Sequence, residues 1–201
     1  MATATASQAL PARGRRADIL DAALLVFTRR GFHRATIEEI RTVSGASTGS
    51  IYHHFGGKEQ LAAALYVEGL RDYQRRFLAV VDSDADAEDT VKAIVENHLD
   101  WVADNPSMAR YLLSSREAEV VRATEGELRA MNRATIAATQ GWVERAVEAG
   151  ELSPMPTQLF YSVLIGPSQE FARRWLARRD LEAFAVARSE LAEAAWRAVR
   201  A

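Results

Sequence analysis

Cysteine is missing altogether, and with it go disulfides, thiolate zinc sites, iron–sulfur clusters and a thiol nucleophile. Histidine is scarce, with four residues, and three of them (His33, His53 and His54) fall in the first third of the 201-residue chain. Long hydrophobic runs are also wanting. Ala22–Phe27 is typical of the apolar stretches, against the roughly 20 residues that a membrane helix needs. The opening residues are rich in Ala, Thr and Ser but lack the apolar block of a secretory signal. A cytoplasmic protein without a membrane partner is therefore expected. A phosphate-cradling glycine loop, a zinc motif and a nucleophile elbow are absent too, so the chain is not expected to be an enzyme or to carry a cofactor or metal. Sustained period-two alternation of β-branched residues does not occur, which argues against strands.

What is present is ordinary for a globular protein: 48% hydrophobic and 26% charged residues, enough to bury a sizeable core. The formal charge of -2 conceals an asymmetry. Residues 1–60 hold eight basic against five acidic side chains, and the remainder holds 17 against 22. A basic head on an acidic body suggests that the head meets a polyanion.

The pattern is helical almost throughout, and about nine helices are expected. The first runs from about Arg15 to Arg30, with Ile19, Ala23, Val26 and Phe27 on one face and Gly31 as its stop. Thr36-Ile37-Glu38-Glu39 is a capping box that opens a short second helix, which Gly45 ends. Ser47 caps a third, to Phe55, and Gly56-Gly57 breaks it before a long fourth from Lys58 to about Val81. Asp82–Asp89 is an acidic loop leading into a fifth helix, to about Asp104, and Asn105-Pro106 precedes a short sixth. A seventh spans about Val120 to Ala149. After the link Ser153-Pro154-Met155-Pro156 come two more, about Thr157–Arg178 and Leu181–Val199.

The most informative stretch is residues 36–55. A short helix, a glycine bend and a second short helix is the helix-turn-helix plan, in which the second helix enters a major groove of DNA. Ile40, Ile51 and Phe55 are placed to meet behind the bend. The opposite face of the third helix offers Thr48, Gly49, Ser50, Tyr52 and His53, groups able to bond to base edges or phosphates. Gly49 costs about 1 kcal/mol in a purely structural helix, and makes sense where the backbone closely approaches another surface. Lys58 at a helix N-terminus reads as part of a phosphate seat. Arg13, Arg15 and Arg16 are placed to follow an adjacent groove or backbone. His53 and His54 are neighbours on a helix and point about 100° apart, so they do not form a metal pair. Glu38 and Glu39 read as helix-end carboxylates.

Ala17-Asp18-Ile19-Leu20-Asp21-Ala22-Ala23, Phe27, Gly31-Phe32, Thr36, Ile40, Gly45, Ser47, Ile51-Tyr52-His53-His54-Phe55 and Lys58-Glu59 together resemble the N-terminal domain of the tetracycline-repressor (TetR) family. The resemblance covers roughly residues 13–65. It implies an all-α homodimer that binds operator DNA and represses transcription until a small molecule binds its C-terminal domain. By the same resemblance Thr36, Ser47, Ser50, His53 and Lys58 would contact phosphates, and Thr48, Gly49 and Tyr52 would lie nearest the bases. Three positions depart from the family pattern. Arg41 stands where a small residue is usual and must bend outwards, Val43 where a polar one is common, and Ala46 where a larger apolar one is common.

The expected organisation is a flexible arm (1–12), a helix-turn-helix domain (13–65) and a helical effector-binding and dimerisation domain (66–201). In the last of these, His98, Trp101, Met108, Tyr111, Trp142 and Tyr161 are candidates to line a ligand cavity, with plain core as the alternative for each. Phe160, Leu164, Phe171 and Trp175, with Phe184 and Leu191, form coiled-coil-like stripes that suit a two-fold dimer or, alternatively, the core of one chain. Pro167 interrupts the first stripe and is expected to kink its helix. The reading is a ligand-responsive transcriptional regulator, a repressor that binds a palindromic operator as a dimer. The alternatives are an activator or a sequence-tolerant DNA-binding protein and, further off, a helical enzyme or adaptor.

Overall fold

Each helix begins and ends where local chemistry dictates. In the computed structural model, which describes residues 14–83, 85–114 and 118–201, α1 (Arg15–Arg30) buries Ile19, Ala23, Val26 and Phe27 on one face, and Gly31 closes it. The expected arm, residues 1–12, and Arg13 lie outside the described residues. In α2 (Ile37–Ser44) the capping box is formed on both sides: Thr36 Oγ1 accepts from the Glu39 amide at 3.2 Å, and the Thr36 amide donates to the Glu39 carboxylate at 3.1 Å. Gly45 then takes the left-handed conformation, φ 63°, which a side-chain-bearing residue adopts only at a cost. Ser47 caps α3 (Thr48–Phe55) by accepting from the Ser50 amide.

The body follows as α4 (Lys58–Val81), α5 (Ala87–Asp104), α6 (Pro106–Ser114), α7 (Ala118–Glu148), α8 (Thr157–Arg178) and α9 (Leu181–Val199). Among the described residues there are nine helices and no strand beyond an isolated bridge between Leu152 and Arg200. The fold is all-α, as expected. The boundaries differ little from those read in the sequence. The α7 helix starts two residues earlier because Ala118 and Glu119 are good helix formers with no stop signal ahead of Val120. Pro167 lies on the exposed side of α8, which continues through it.

Packing organises these helices around three apolar clusters. The head cluster gathers Ile19, Ala23 and Phe27 of α1, Ile40 of α2, Ile51 and Phe55 of α3 and Leu61 of α4. Tyr111 of α6 joins it, stacked on Phe27 at 6.0 Å between ring centroids, with its hydroxyl donating to the Ala62 carbonyl at 2.8 Å. In the body, α5 packs against α4, α8 and α9, while α7 lies along α4. Phe77, Ile94, Trp142, Phe160 and Val199 are buried in one body cluster, and Leu99, Trp101 and Trp175 in the other. The α7–α8 link is tied to the end of α9, since Ser153 donates from its amide to Val199 O and from its hydroxyl to Arg200 O, both at 2.8 Å.

Candidate functional site

The α2–turn–α3 unit is held from behind and open in front. Ile40 and Ile51 are fully buried and Phe55 nearly so, which sets the angle of α3 against α2. On the other side of α3, Ser47, Thr48, Gly49, His53 and His54 are exposed, Ser50 is half-buried, and Tyr52 keeps 51% of its surface in solvent. Thr36, at the start of α2, is exposed as well. A Cβ built on Gly49 would meet nothing of the chain nearer than Ser47 Oγ at 3.9 Å. Internal packing therefore does not require a glycine there. His53 and His54 sit with ring centroids 5.5 Å apart at 64°, and no group of three or more His, Cys, Asp or Glu able to hold a metal occurs among the described residues.

The departures at Arg41, Val43 and Ala46 resolve simply. Arg41 folds back along the surface of its own helix and forms a two-pronged pair with Glu38 at 2.6 and 2.8 Å. That bond holds the Glu38 carboxyl below its ordinary range. Ala46 is buried and Val43 is exposed. Lys58 has an internal role that its spacing did not reveal. Its ammonium group donates to the Phe32 carbonyl at 3.2 Å and the Ala35 carbonyl at 3.3 Å, and it lies 4.6 Å from the centroid of the Phe32 ring. It thus fastens the α1–α2 turn to the start of α4. Arg16 pairs with Glu68 and covers the Phe55 ring.

A second feature lies in the body, where α4, α7 and α8 enclose a cavity of about 730 Å³. Helical registers of three and four supply its walls: Leu70, Tyr73, Gln74 and Phe77 from α4, and Asn132, Thr135, Ile136 and Thr139 from α7. The α8 wall includes Gln158 and Tyr161. No lining residue is charged. Behind the α4 wall, the Tyr73 hydroxyl meets Nδ1 of His98 at 3.0 Å. Burial pushes the Tyr73 hydroxyl well above its ordinary pKa and holds His98 down to about 4.

Of the six residues expected at a cavity, Tyr161 lines it and the other five are placed elsewhere. His98 stands one residue behind the wall. Trp101 is buried in a body cluster, with its indole N–H donating to Asp72 at 2.8 Å. Met108 packs beside Gly69, Tyr111 completes the head cluster, and Trp142 tilts against Phe160. The polar wall was missed because single uncharged residues look like ordinary surface. The signal that would have found it is the charge-free stripe Asn132, Thr135, Ile136 and Thr139 on a helix otherwise rich in Arg and Glu.

The stripes expected to face a second chain mostly turn inward. Phe160, Leu164 and Trp175 are buried within this chain, and Phe171, Phe184 and Leu191 are half-buried against it. The exposed apolar groups of the last two helices are instead Leu159, Leu181 and Val186. A spacing of four and seven marks a buried face without saying which chain buries it.

Comparison with known proteins bears directly on the head. The family model described as bacterial regulatory proteins, tetR family, matches residues 19–65. The HTH-type transcriptional repressor Rv1474c of Mycobacterium tuberculosis is 31% identical over 141 residues, which cover 60% of this chain and 67% of that protein. The chain belongs to the tetR family. The HTH-type transcriptional repressor KstR2 of Rhodococcus jostii is 34% identical over 82 residues, 41% of this chain, and the match spans only 40% of that relative's length. Among solved structures, the tetR-like fold is shared with the regulator FadR of Bacillus subtilis in complex with stearoyl-CoA, with a TM-score of 0.74 at 18% identity, covering 89% of this chain and 96% of that one. In this tetR-family chain no described helix is long and apolar enough to cross a membrane.

Proposed function

We propose that the protein is a cytoplasmic, ligand-responsive transcriptional regulator that binds operator DNA through α3 as a homodimer and represses until a small molecule occupies its body. The observation that carries this reading is the exposed face of α3, where Thr48, Gly49, Ser50, Tyr52 and His53 present hydroxyls, a phenol and an imidazole on a rigidly buttressed short helix. In this reading Thr48, Gly49 and Tyr52 approach base edges, while Thr36, Ser47, Ser50 and His53 meet phosphates. The head spans residues 13–65, and the rest of the chain binds the effector and dimerises. The cavity between α4, α7 and α8 is the effector site. The exposed Leu159, Leu181 and Val186 on α8 and α9 favour these helices as the dimer surface. An effector that prefers one spacing of the two heads shifts the population away from the operator-bound form.

The experiment is Tyr52→Ala, measured by binding to the DNA flanking the protein's own coding region and by thermal melting. Operator affinity is expected to fall at least about tenfold, as for the loss of a base-contacting side chain, while the melting temperature stays within about a degree, as for a change away from the core. Equal affinity, or a comparable loss of stability, overturns the reading.

A further inference from the structure

Taking the body as the effector-binding unit, the hydrogen-bond directions around its cavity specify what it admits. A volume of about 730 Å³ suits a drug-sized organic molecule. The lining carries no Arg, Lys, Asp or Glu, so an anionic or cationic group buried there would lose its hydration with no opposite charge in return. Several of the polar wall groups already direct their hydrogens into the protein. Thr139 donates to the Thr135 carbonyl at 2.8 Å, Thr135 to the Met131 carbonyl at 3.2 Å, and the Gln74 amide to Asn132 at 2.8 Å.

The exception follows from His98. Its Nε2 is buried and meets no partner, while Nδ1 faces the Tyr73 hydroxyl. A proton on Nε2 would be a buried donor with no acceptor, whereas a proton on Nδ1 leaves only a bare lone pair, the less uncommon defect in folded proteins. Nδ1–H therefore donates to the Tyr73 oxygen, and the Tyr73 O–H turns away from His98. Tyr161 is the hydrogen-bonding neighbour that receives it. The Tyr161 oxygen thus accepts, and its own O–H is left as a donor at the cavity wall.

We propose that this cavity takes an uncharged organic molecule that presents a carbonyl-type acceptor to the Tyr161 hydroxyl, with its apolar skeleton against Leu70, Phe77 and Ile136, and that it discriminates against carboxylates. The test uses the full chain without DNA, two matched sets of probes and calorimetric binding. One set is flavone, flavan and a flavone carboxylate; the other is methyl undecyl ketone, tridecane and tridecanoate. The expected result is that at least one ketone binds about fivefold more tightly than its hydrocarbon, the gain of one hydrogen bond. It should also bind at least about tenfold more tightly than its carboxylate, because of the uncompensated charge. In Tyr161→Phe the ketone should fall to the affinity of the hydrocarbon, whose own binding and the melting temperature stay unchanged.

Four results overturn the proposal: a carboxylate binding as tightly as its ketone, a ketone no better than its hydrocarbon, an unchanged ketone affinity in Tyr161→Phe, or no binding by either ketone. Each of these leaves operator recognition by α3 untouched. Loss of operator binding with the ketone preference intact would instead remove the regulator reading alone.

Discussion

The His98 ring stands edge-on to Tyr73, at 88° with centroids 5.6 Å apart, and its Nδ1 lies 3.0 Å from the phenol oxygen while Nε2 is buried without a partner. This arrangement couples stability to pH. Burial lowers the folded-state pKa of His98 from 6.5 to about 4, so between those values the unfolded chain takes up a proton that the native chain refuses. Stability from this group is whole above the unfolded value, falls as the pH drops from about 6.5 towards 4, and levels off below that, a total of about 3 kcal/mol. Urea unfolding of the native chain and of His98→Gln across this range should give a shallower pH slope in the variant. Identical slopes would show that the imidazole charges freely in the fold.

Lys58→Met separates an internal role from a DNA-facing one. The variant keeps an apolar stem against Phe32 but abandons the Phe32 and Ala35 carbonyls, and a loss of about 1–2 kcal/mol is expected. Chemical denaturation reads it. If stability is retained and only the salt dependence of DNA binding weakens, the ammonium group serves phosphate instead.

Thr36→Ala removes one half of the capping box and should cost about 1 kcal/mol, with Thr36→Ser restoring most of it. Thermal melting of the three chains provides the comparison. Equal melting temperatures for Ala and Thr would mean that the Glu39 carboxylate alone secures the start of α2.

Gly69 and Met108 are matched in shape. A Cβ on Gly69 would lie 2.4 Å from Met108 Sδ. In a Met108→Ala background, Gly69→Ala should stabilise α4 by about 1 kcal/mol through helix propensity. With Met108 present, crowding of about 1–3 kcal/mol should cancel or reverse that gain. A double-mutant cycle giving a coupling near zero would show that the methionine moves aside freely.

The elements of the fold were legible because their ends are written in local chemistry. Thr36, Ser47, Gly45 and Gly56 act within a turn of where they stand, so spacing alone locates α2 and α3. The outward pose of Tyr52 was legible too, because the apolar neighbours Ile51 and Phe55 claim the other side of a helix of eight residues. Lys58 was opaque because its acceptors, Phe32 and Ala35, become neighbours only when α1 and α4 pack. The cavity was opaque for a related reason. Thr135, Asn132 and Gln158 are small uncharged polar residues, and nothing local separates a wall that faces a void from one that faces water. The α8 stripe shows the same limit, since Phe160 and Leu164 declare themselves buried without naming the surface that covers them.

Tyr111 has the last consequence. Its ring and hydroxyl come from α6, yet they close the apolar interior of the head against Phe27 and Ala62. A fragment cut after residue 65 would lack that keystone and should be looser than the same residues in the whole chain. The reading head and the sensing body are therefore mortised together, and any sliding of α6 is registered at once inside the part that would touch a duplex.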